Sequence, residues 1–439
     1  MNRQLTFTVL AGSFSGLLFG YDIGAMAGAA PDLRAFFGLS PASLGVAVSA
    51  ALFGTILGSA AAGFLSDALG RRLALFLSAV IYGLAVIAAA VAQSPAQFAV
   101  DRCLCGIALG LISVAAPMYL AEVAPPRLRG RVVGSFQLSL SIGVVAAFAA
   151  GDLLSGGRHG GSSWRLLLTG GVLPALLTTL CLLRAAASPG WLALRRGLRN
   201  SGDSPASPRM PRPQPGSIGA GEASFAKDDP DRTSLFSRRH LRPLALGVTL
   251  AIFNQLTGVN ALLYYVLDVF RDLGSGNLNG RADATILAMV GLFVTLAAVL
   301  VIDSLGRKPL LLAGSAGMGI CLFLLPAIRQ HGWPAVMVLI VLACYDASFG
   351  FSQGAVIWVY LSEIFPLPVR ARGQSVASTV HWAANAFVVG TFPVLTSHMG
   401  ERVFPVLAFL MILQFVTILV FYPETKGRTI DSVASSLSG

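Results

Sequence analysis

The sequence predicts an all-α membrane protein of twelve transmembrane helices, arranged as two pseudo-symmetric six-helix bundles. The chain is strongly apolar, because 55% of its 439 residues are hydrophobic and only 12% are charged, whereas soluble domains carry about 25% charged residues. Segments of roughly 20 apolar residues, long enough to cross a bilayer as helices, recur along the whole chain. Short polar sequences of the first half also return in the second half.

The predicted spans follow from these apolar segments. The first contains Asp22 and lacks a small-residue cleavage site, so we interpret it as a mature helix rather than a signal peptide. Frequent glycines inside the spans favour close packing between helices in lipid. The spans are predicted at residues 4–28, 44–65, 72–93, 97–120, 130–151, 164–187, 242–268, 284–302, 308–328, 334–361, 371–393 and 402–422.

A polar segment rich in proline and serine separates the two halves. It contains the run NSGDSPASPRMPRPQPGSIGAGEAS, which is too polar to build a core. We therefore predict four regions: a first bundle at 1–187, a cytoplasmic linker at 188–241, a second bundle at 242–422 and a cytoplasmic tail at 423–439.

Short sequences repeat between the halves. GFLSDALGRR at 63–72 returns as VLVIDSLGRK at 299–308, and AEVAPPRLRG from Ala121 returns as SEIFPLPVRARG from Ser362. SPG at 188 corresponds in the same way to PETKG at 423. Two similar bundles that rock about a midplane site are typical of transporters.

The basic residues indicate topology rather than nucleic-acid binding. The net charge is +11, and most of the 31 lysines and arginines fall in loops on one side of the predicted path. By the positive-inside rule that side is cytoplasmic. We therefore predict a multi-pass protein of the cell (inner) membrane with both termini in the cytoplasm. The opposite loops contain only Arg34, Arg158, Arg271, Arg281 and Arg329.

Acidic and basic side chains recur in the cytoplasmic loops of both halves. We interpret them as a latch that holds the halves together in the outward-open state and breaks when the protein turns inward. The alternative is that each charge merely ends a helix at the membrane interface. The predicted gate residues are Asp67, Arg71, Arg72, Glu122 and Arg129 in the first half, and Asp303, Arg307, Glu363 and Arg370 in the second.

Several of these motifs together resemble the sugar porter family of the major facilitator superfamily. They are the D-x2-GRR and D-x2-GRK loops, the E-x6-R pairs, GYD at 20–22, QLTGVNALLYY at 255–265 and PETKG at 423–427. The resemblance covers nearly every span and implies the major facilitator fold. It also implies sugar transport.

A sugar site needs neutral amides for its hydroxyls and aromatic planes for its apolar faces. The seventh span supplies Asn254, Gln255 and Asn260, polar groups that are costly in a membrane helix unless they have a use. The resemblance makes Gln255 and Asn260 sugar-binding amides, and it adds Gln137, Trp358 and Asn385. Helix-to-helix hydrogen bonding is the alternative for these amides.

Further residues are candidates for the walls of the site. Phe19, Tyr264, Tyr265 and Trp382 are candidate walls or gates, although simple packing is the alternative for each. The sequence departs from the family at three positions, which leaves the sugar open: Asn254 stands where Gln is usual, Gly291 where some members have Asn, and His381 where Asn is common. His381 is a candidate pocket residue.

Asp22 and Arg102 are the predicted proton-coupling pair. A permanently ionised carboxylate is costly inside the membrane, so Asp22 favours either protonation or a nearby cation. The resemblance implies that Asp22 takes a proton outside, releases Arg102 and gives the proton up inside. A constant salt bridge that ties two helices is the structural alternative.

These observations predict a secondary active transporter that imports a neutral monosaccharide, a hexose or pentose, with a proton by alternating access. A facilitative sugar uniporter and a transporter-like sugar sensor are the alternatives. We do not expect enzymatic activity, because the sequence shows no nucleophile with its base and no Walker loop. We also expect a monomer in the lipid bilayer, with no cofactor, metal or nucleic-acid partner.

Overall fold

The computed structural model describes residues 3–155, 163–200, 234–264, 280–334, 336–428 and 430–437. Within these ranges the chain is helical, with no β-strand. Eleven of the described helical segments are long and apolar enough to cross a membrane. The remaining predicted span lies within Arg370–Met399, a 30-residue helix that carries more polar side chains. The predicted all-α membrane fold is confirmed.

The first half contains the first six spans. Ser163–Thr169 and Val172–Arg184 form one span, Trp164–Arg184, across a turn at Gly170 and Gly171. The helices are α1 (Arg3–Phe37), α2 (Pro41–Leu69), α3 (Arg71–Val91), α4 (Pro95–Val123), α5 (Arg129–Ser155), α6 (Ser163–Thr169) and α7 (Val172–Arg184).

The second half repeats this arrangement with more broken helices. Its helices are α9 (Arg238–Leu256), α10 (Val259–Tyr264), α11 (Gly280–Leu305), α12 (Arg307–Gln330), α13 (Val336–Phe349), α14 (Ala355–Glu363), α15 (Arg370–Met399), α16 (Val403–Phe421) and α17 (Ile430–Leu437), after α8 (Pro189–Asn200). A π-helical turn, Gly350–Gly354, joins α13 to α14 within the tenth span.

The region predicted as a linker is partly helical. Its first part forms α8, and the seventh span begins at Arg238. Residues 201–233 lie outside the described residues.

Local sequence explains where several helices begin and end. The Oγ atoms of Ser40 and Ser94 accept hydrogen bonds from backbone N–H groups three residues later, and a proline follows each serine. Serine at the cap and proline at the first helical position are favourable starts. Gly70 and Gly306, in the duplicated D-x2-G motifs, have φ of 87° and 95°, which glycine adopts without strain. The repeated sequences therefore form equivalent turns.

Glycines allow α1 to approach α5 closely. A Cβ on Gly16 would lie 2.1 Å from the carbonyl oxygen of Phe136, and one on Gly20 would lie 1.8 Å from that of Leu140. Side chains at both positions would separate the helices, because a backbone carbonyl cannot rotate away as a side chain can. Small residues at helix contacts are typical of membrane bundles, where van der Waals packing drives association.

Gly20→Ala is therefore expected to destabilise the protein, whereas Gly390→Ala is not. A Cβ at Gly390, inside α15, would meet nothing within 4 Å. Overpacking typically costs about 1–3 kcal/mol, so we expect a clearly lower melting temperature of the detergent-purified protein only for Gly20→Ala. Equal melting temperatures for the two variants would contradict the close contact between α1 and α5.

The halves meet mainly through two pairs of helices, α2 with α15 and α5 with α11. Further contacts join α14 to α4 and α5, and α15 to α4. Near one end of the first pair, the Oγ of Ser375 donates to the carbonyl oxygens of Ser59 and Ala60 at 2.5 Å and 3.1 Å. We call this the signature end of the bundle, because it holds the repeated loops at residues 67–72, 122–129, 303–308 and 363–370. The halves are packed directly against each other there.

Candidate transport site

A cavity of about 290 Å³ lies between the two halves. Its walls come from both bundles, and on α1, α2 and α5 they extend from mid-helix away from the signature end. The predicted residues that line it are Phe19, Asp22, Arg102, Gln137, Asn254, Gln255, Asn260, Trp358, His381, Trp382 and Asn385. The structure thus brings together eleven of the thirteen residues predicted for sugar binding and proton coupling.

The other two predicted residues are Tyr264 and Tyr265. Tyr264 is the last residue of α10. Tyr265 lies outside the described residues.

The amides form a connected network on the second-half wall. Asn260 donates from Nδ2 to Gln255 Oε1 and to Asn385 Oδ1, each at 3.0 Å. Gln255 donates from Nε2 to Asn254 Oδ1 at 3.1 Å, and its Nε2 lies 2.9 Å from Nε2 of His381. The network holds several amides at one wall, where sugar hydroxyls can exchange with the existing partners.

A break in the seventh span positions this network. The helix is interrupted at Thr257 and Gly258, between α9 and α10. Tyr345 on α13 donates its hydroxyl to the Thr257 carbonyl oxygen at 2.6 Å, and Asn254 donates to the Gln353 carbonyl oxygen in the π-helical turn at 3.3 Å. Backbone groups freed by irregular helices are thereby satisfied, as they must be in a membrane.

Aromatic side chains cover the same cavity. Phe19 stacks on Trp382 with ring centroids 5.2 Å apart, and Trp358 lies 6.4 Å from Trp382 in a second stacked contact. These rings provide planes against which the C–H faces of a sugar can pack.

Two tryptophans also link the halves. Trp358 donates from Nε1 to Gln137 Oε1 at 3.1 Å. Trp382 donates from Nε1 to the Ser113 hydroxyl at 3.2 Å. Relative motion of the halves must change these contacts, which couples the shape of the cavity to the arrangement of the bundles.

Asp22 and Arg102 form a bidentate ion pair in the first half. Nη1 donates to Oδ1 at 2.5 Å and Nη2 donates to Oδ2 at 2.8 Å, and both side chains are buried. Tyr82 also donates its hydroxyl to Oδ1 at 2.9 Å. Protonation of Asp22 would remove the charge that holds Arg102 and would weaken these short charge-assisted bonds.

The predicted gate residues form matching ion-pair clusters at the signature end. In the first half, Arg71 contacts Asp67 at 3.2 Å and Glu122 at 3.3 Å. In the second half, Arg307 contacts Asp303 at 3.1 Å and Glu363 at 2.9 Å. The sequence repeat is therefore a structural repeat.

Arg72 has a different role from these acid-binding arginines. It donates to the carbonyl oxygens of Leu182 and Leu183 at 2.8 Å and 3.0 Å, which satisfies the end of α7. Lys308 does the same for α16 through the Leu419 carbonyl oxygen at 2.8 Å. In the described part of the chain Arg72 forms no ion pair.

Charged groups also cross between the halves at the signature end. Arg370 lies 3.8 Å from Glu122, and Arg129 is close enough to Glu363 to interact with its charge. Asp303 accepts from the backbone N–H groups of Gly130 and Arg131, each at 3.0 Å. The halves are joined by ionic contacts on this side of the cavity.

Four further residues of the site and the loops were not predicted from the sequence. Tyr82 binds Asp22, Ser113 binds Trp382, and Asp346 lines the cavity. Glu424 accepts from the backbone N–H groups of Arg307 and Lys308, each at 2.9 Å. An acid inside a predicted span was a visible signal for Asp346, because ionisable groups in membrane helices are functional by default.

Comparisons with known proteins agree with this architecture. Residues 8–437 match the family model described as Sugar (and other) transporter. The arabinose-proton symporter of Bacillus subtilis (strain 168) is 30% identical over 98% of this chain and 95% of that protein.

Solved structures give the same assignment. The proton:xylose symporter XylE of the major facilitator superfamily, bound to 6-bromo-6-deoxy-D-glucose, matches with a TM-score of 0.86 and 28% identity over 99% of both chains. An inward-open structure of the E. coli xylose transporter XylE matches with a TM-score of 0.72 and 28% identity, over 98% of this chain and 99% of that one. The chain therefore belongs to the sugar transporter family of the major facilitator superfamily, a family of membrane transporters.

Proposed function

We propose that the protein imports a neutral monosaccharide together with a proton, by alternating access. The observation that carries this proposal is the buried Asp22–Arg102 pair in the wall of a cavity that also holds the amide network. A protonatable carboxylate and a sugar-binding surface thus share one space. The symporters named above support the same activity.

The cavity suits a single sugar ring. Its volume of about 290 Å³ is small for a ligand pocket, since drug-sized ligands occupy about 300–1,000 Å³. Gln137 contributes from the first half, and Gln255, Asn260 and Asn385 contribute from the second. A hexose or pentose held by both halves would favour closure of the cavity around it, which is how binding energy is converted into alternating access.

The proton acts on the ion pair. With Asp22 ionised, the two terminal nitrogens of the Arg102 guanidinium are held in the first half. When Asp22 takes a proton from the outside, the guanidinium is released and the cavity becomes competent to bind sugar. Exposure to the cytoplasm lets the proton leave, and the pair forms again after the sugar has dissociated.

The signature end is the gate of this cycle and faces the cytoplasm. In the present arrangement the ionic contacts between the halves close it. The TM-score is 0.72 against the inward-open structure and 0.86 against the sugar-bound structure, which supports a closed cytoplasmic side in the present arrangement. Glu122, which contacts Arg71 and Arg370 together, is the central contact of the first-half cluster.

Glu122→Gln is expected to shift the protein toward the inward-facing state. Breaking a buried pair costs about 3–5 kcal/mol, and each 1.4 kcal/mol changes a population ratio by about tenfold, so we expect at least a tenfold shift. Ser375→Cys, in a chain without the native cysteines, reports opening by reaction of the introduced thiol with a membrane-impermeant maleimide.

Labelling should rise in inside-out vesicles of Glu122→Gln and remain low in right-side-out vesicles, which also tests the orientation. Glu401→Gln, at the opposite end of the bundle, is the matched control. Unchanged labelling in Glu122→Gln would contradict the assignment of the signature end as the gate. Labelling in right-side-out vesicles instead would show that the signature end faces the outside.

Uptake into liposomes tests the proposed activity. We expect purified protein to accumulate radiolabelled xylose, glucose or galactose above equilibrium only with an inward proton gradient. A pH difference of one unit is worth about 1.4 kcal/mol, so one proton per sugar supports about tenfold accumulation. Equilibration that ignores the gradient would instead establish a facilitative uniporter, in which Asp22 and Arg102 only tie α1 to α4.

The same proposal includes the setting of the protein. We place it as a monomer in the cell (inner) membrane. We orient both termini toward the cytoplasm, because the basic loops concentrate at the signature end. The four regions, 1–187, 188–241, 242–422 and 423–439, serve as bundle, connection, bundle and tail.

A further inference from the structure

A third charged residue, Asp346, lines the cavity beside Asp22 and Arg102. It lies on α13, one turn before the π-helical turn Gly350–Gly354, and its side chain is partly buried. Its Oδ2 lies 2.9 Å from the position that a Cβ on Gly291 would occupy. The glycine on α11 therefore leaves the space that the carboxylate uses.

Asp346 and the amide network line the same cavity. The preceding residue, Tyr345, donates to the Thr257 carbonyl oxygen at the break between α9 and α10. This contact fixes α13 against the segment that carries Asn254 and Asn260. A ligand bound to the amides thus occupies the cavity that the Asp346 carboxylate also lines.

The charges of the cavity do not balance. Asp22 and Arg102 neutralise each other, whereas Asp346 forms no hydrogen bond or ion pair in the described part of the chain. His381, the remaining basic residue of the lining, lies against Gln255. An ionised Asp346 would give the cavity one negative charge without a partner, a charge that a cationic ligand would offset.

An uncompensated carboxylate inside a membrane is costly, and a cationic partner offsets that cost. A bond from an ammonium group to a carboxylate is roughly twice as strong as a neutral hydrogen bond. A monosaccharide with an amino group in place of one hydroxyl keeps the ring faces and the remaining hydroxyls that the aromatic and amide walls accept. It adds the missing positive charge.

We propose that Asp346 binds a protonated amino group, so that the cavity prefers amino monosaccharides to the neutral sugars of the same ring. This inference rests on the proposed function, because it requires the cavity to be the sugar site. It narrows the proposed substrates from monosaccharides in general to monosaccharides that carry an amino group.

Competition binding tests the proposal. The full chain in detergent binds radiolabelled glucose, and glucosamine, unlabelled glucose and N-acetylglucosamine compete at about pH 6.5, where an amine is protonated. We expect glucosamine to compete about tenfold more strongly than glucose. N-acetylglucosamine, which is neutral at the same position, should show no such advantage. In Asp346→Asn the glucosamine-to-glucose ratio should fall to about one, whereas Asp101→Asn on α4, outside the cavity lining, should keep it.

Gly291→Ala provides a second variant, because its Cβ would displace the carboxylate without removing it. Gly291→Ala should lower the glucosamine-to-glucose ratio as well. It therefore tests the proposal even if Asp346→Asn does not fold. Equal competition by glucosamine and glucose in the wild type, or an unchanged ratio in a folded variant, would overturn the assignment of Asp346 alone. Failure of the wild type to bind any of the sugars would overturn the proposed function as well.

Discussion

Asp22→Asn is expected to abolish proton-driven accumulation of sugar while leaving exchange of sugar across the membrane intact. Asparagine has the shape of a protonated aspartate and carries no charge, so it cannot hold Arg102 as the bidentate carboxylate does. The variant resembles the proton-loaded transporter at all times. Such a protein can bind sugar and move between its loaded states, but it cannot return empty after releasing a proton.

The measurement uses liposomes with an inward pH gradient of one unit. The wild type should approach about tenfold accumulation for one proton per sugar, and Asp22→Asn should reach a ratio of one. Counterflow, in which unlabelled internal sugar drives entry of labelled sugar without a gradient, should persist. Asp101→Asn is the matched control, because Asp101 neighbours Arg102 on α4 but is not among the residues lining the cavity.

The outcomes separate the interpretations of the pair. Accumulation that survives in Asp22→Asn would show that another group carries the proton. Loss of counterflow together with a lowered melting temperature would make the pair a structural bridge, since breaking a buried ion pair leaves an uncompensated charge.

Tyr82→Phe, which removes one hydrogen bond to Asp22 and keeps the ring, should change the pH dependence of uptake without abolishing accumulation.

The sequence predicted the helical fold because hydrophobic length and the duplicated loops are local signals. Asp67 with Arg71 and Asp303 with Arg307 are four residues apart on either side of the turns at Gly70 and Gly306, so each pairing is local in the sequence. The Asp22–Arg102 contact joins positions 80 residues apart, and its prediction depended on the rarity of ionised groups in membrane helices. The positions of single charged residues were therefore informative inside the predicted membrane spans, where charge is costly.

The individual hydrogen-bond partners that join the halves were not accessible in this way. The hydrogen bond from Trp382 to Ser113 spans 269 residues, and serine is too common in membrane helices to mark a partner. The π-helical turn at Gly350–Gly354 also depends on packing, since its Gln353 carbonyl oxygen receives Asn254 from another helix. Periodicity identifies the face of a helix but does not identify its neighbour.

Gln255→Ala is expected to weaken sugar binding by about tenfold or more with a much smaller effect on folding. Gln255 connects Asn254, His381 and Asn260, so its removal takes away one amide and releases the others from their orientation. A neutral hydrogen bond contributes about 0.5–1.5 kcal/mol, so losing two corresponds to about tenfold in affinity. KM for uptake should rise while the maximal rate changes less, and quenching of cavity tryptophan fluorescence should give the same shift in Kd.

The matched control is Gln414→Ala, which removes the same side chain from a buried position on α16 that is not among the residues lining the cavity. If Gln255 only tied helices together, both variants would lower the melting temperature and neither would alter Kd. If it binds sugar, only Gln255→Ala would alter Kd. The same sugar concentration c would then raise its melting temperature less than that of the wild type, because stabilisation by a ligand follows RT ln(1 + c/Kd) and falls as Kd rises. Kd and melting temperature together therefore decide whether the amide network is a binding surface or a helix contact.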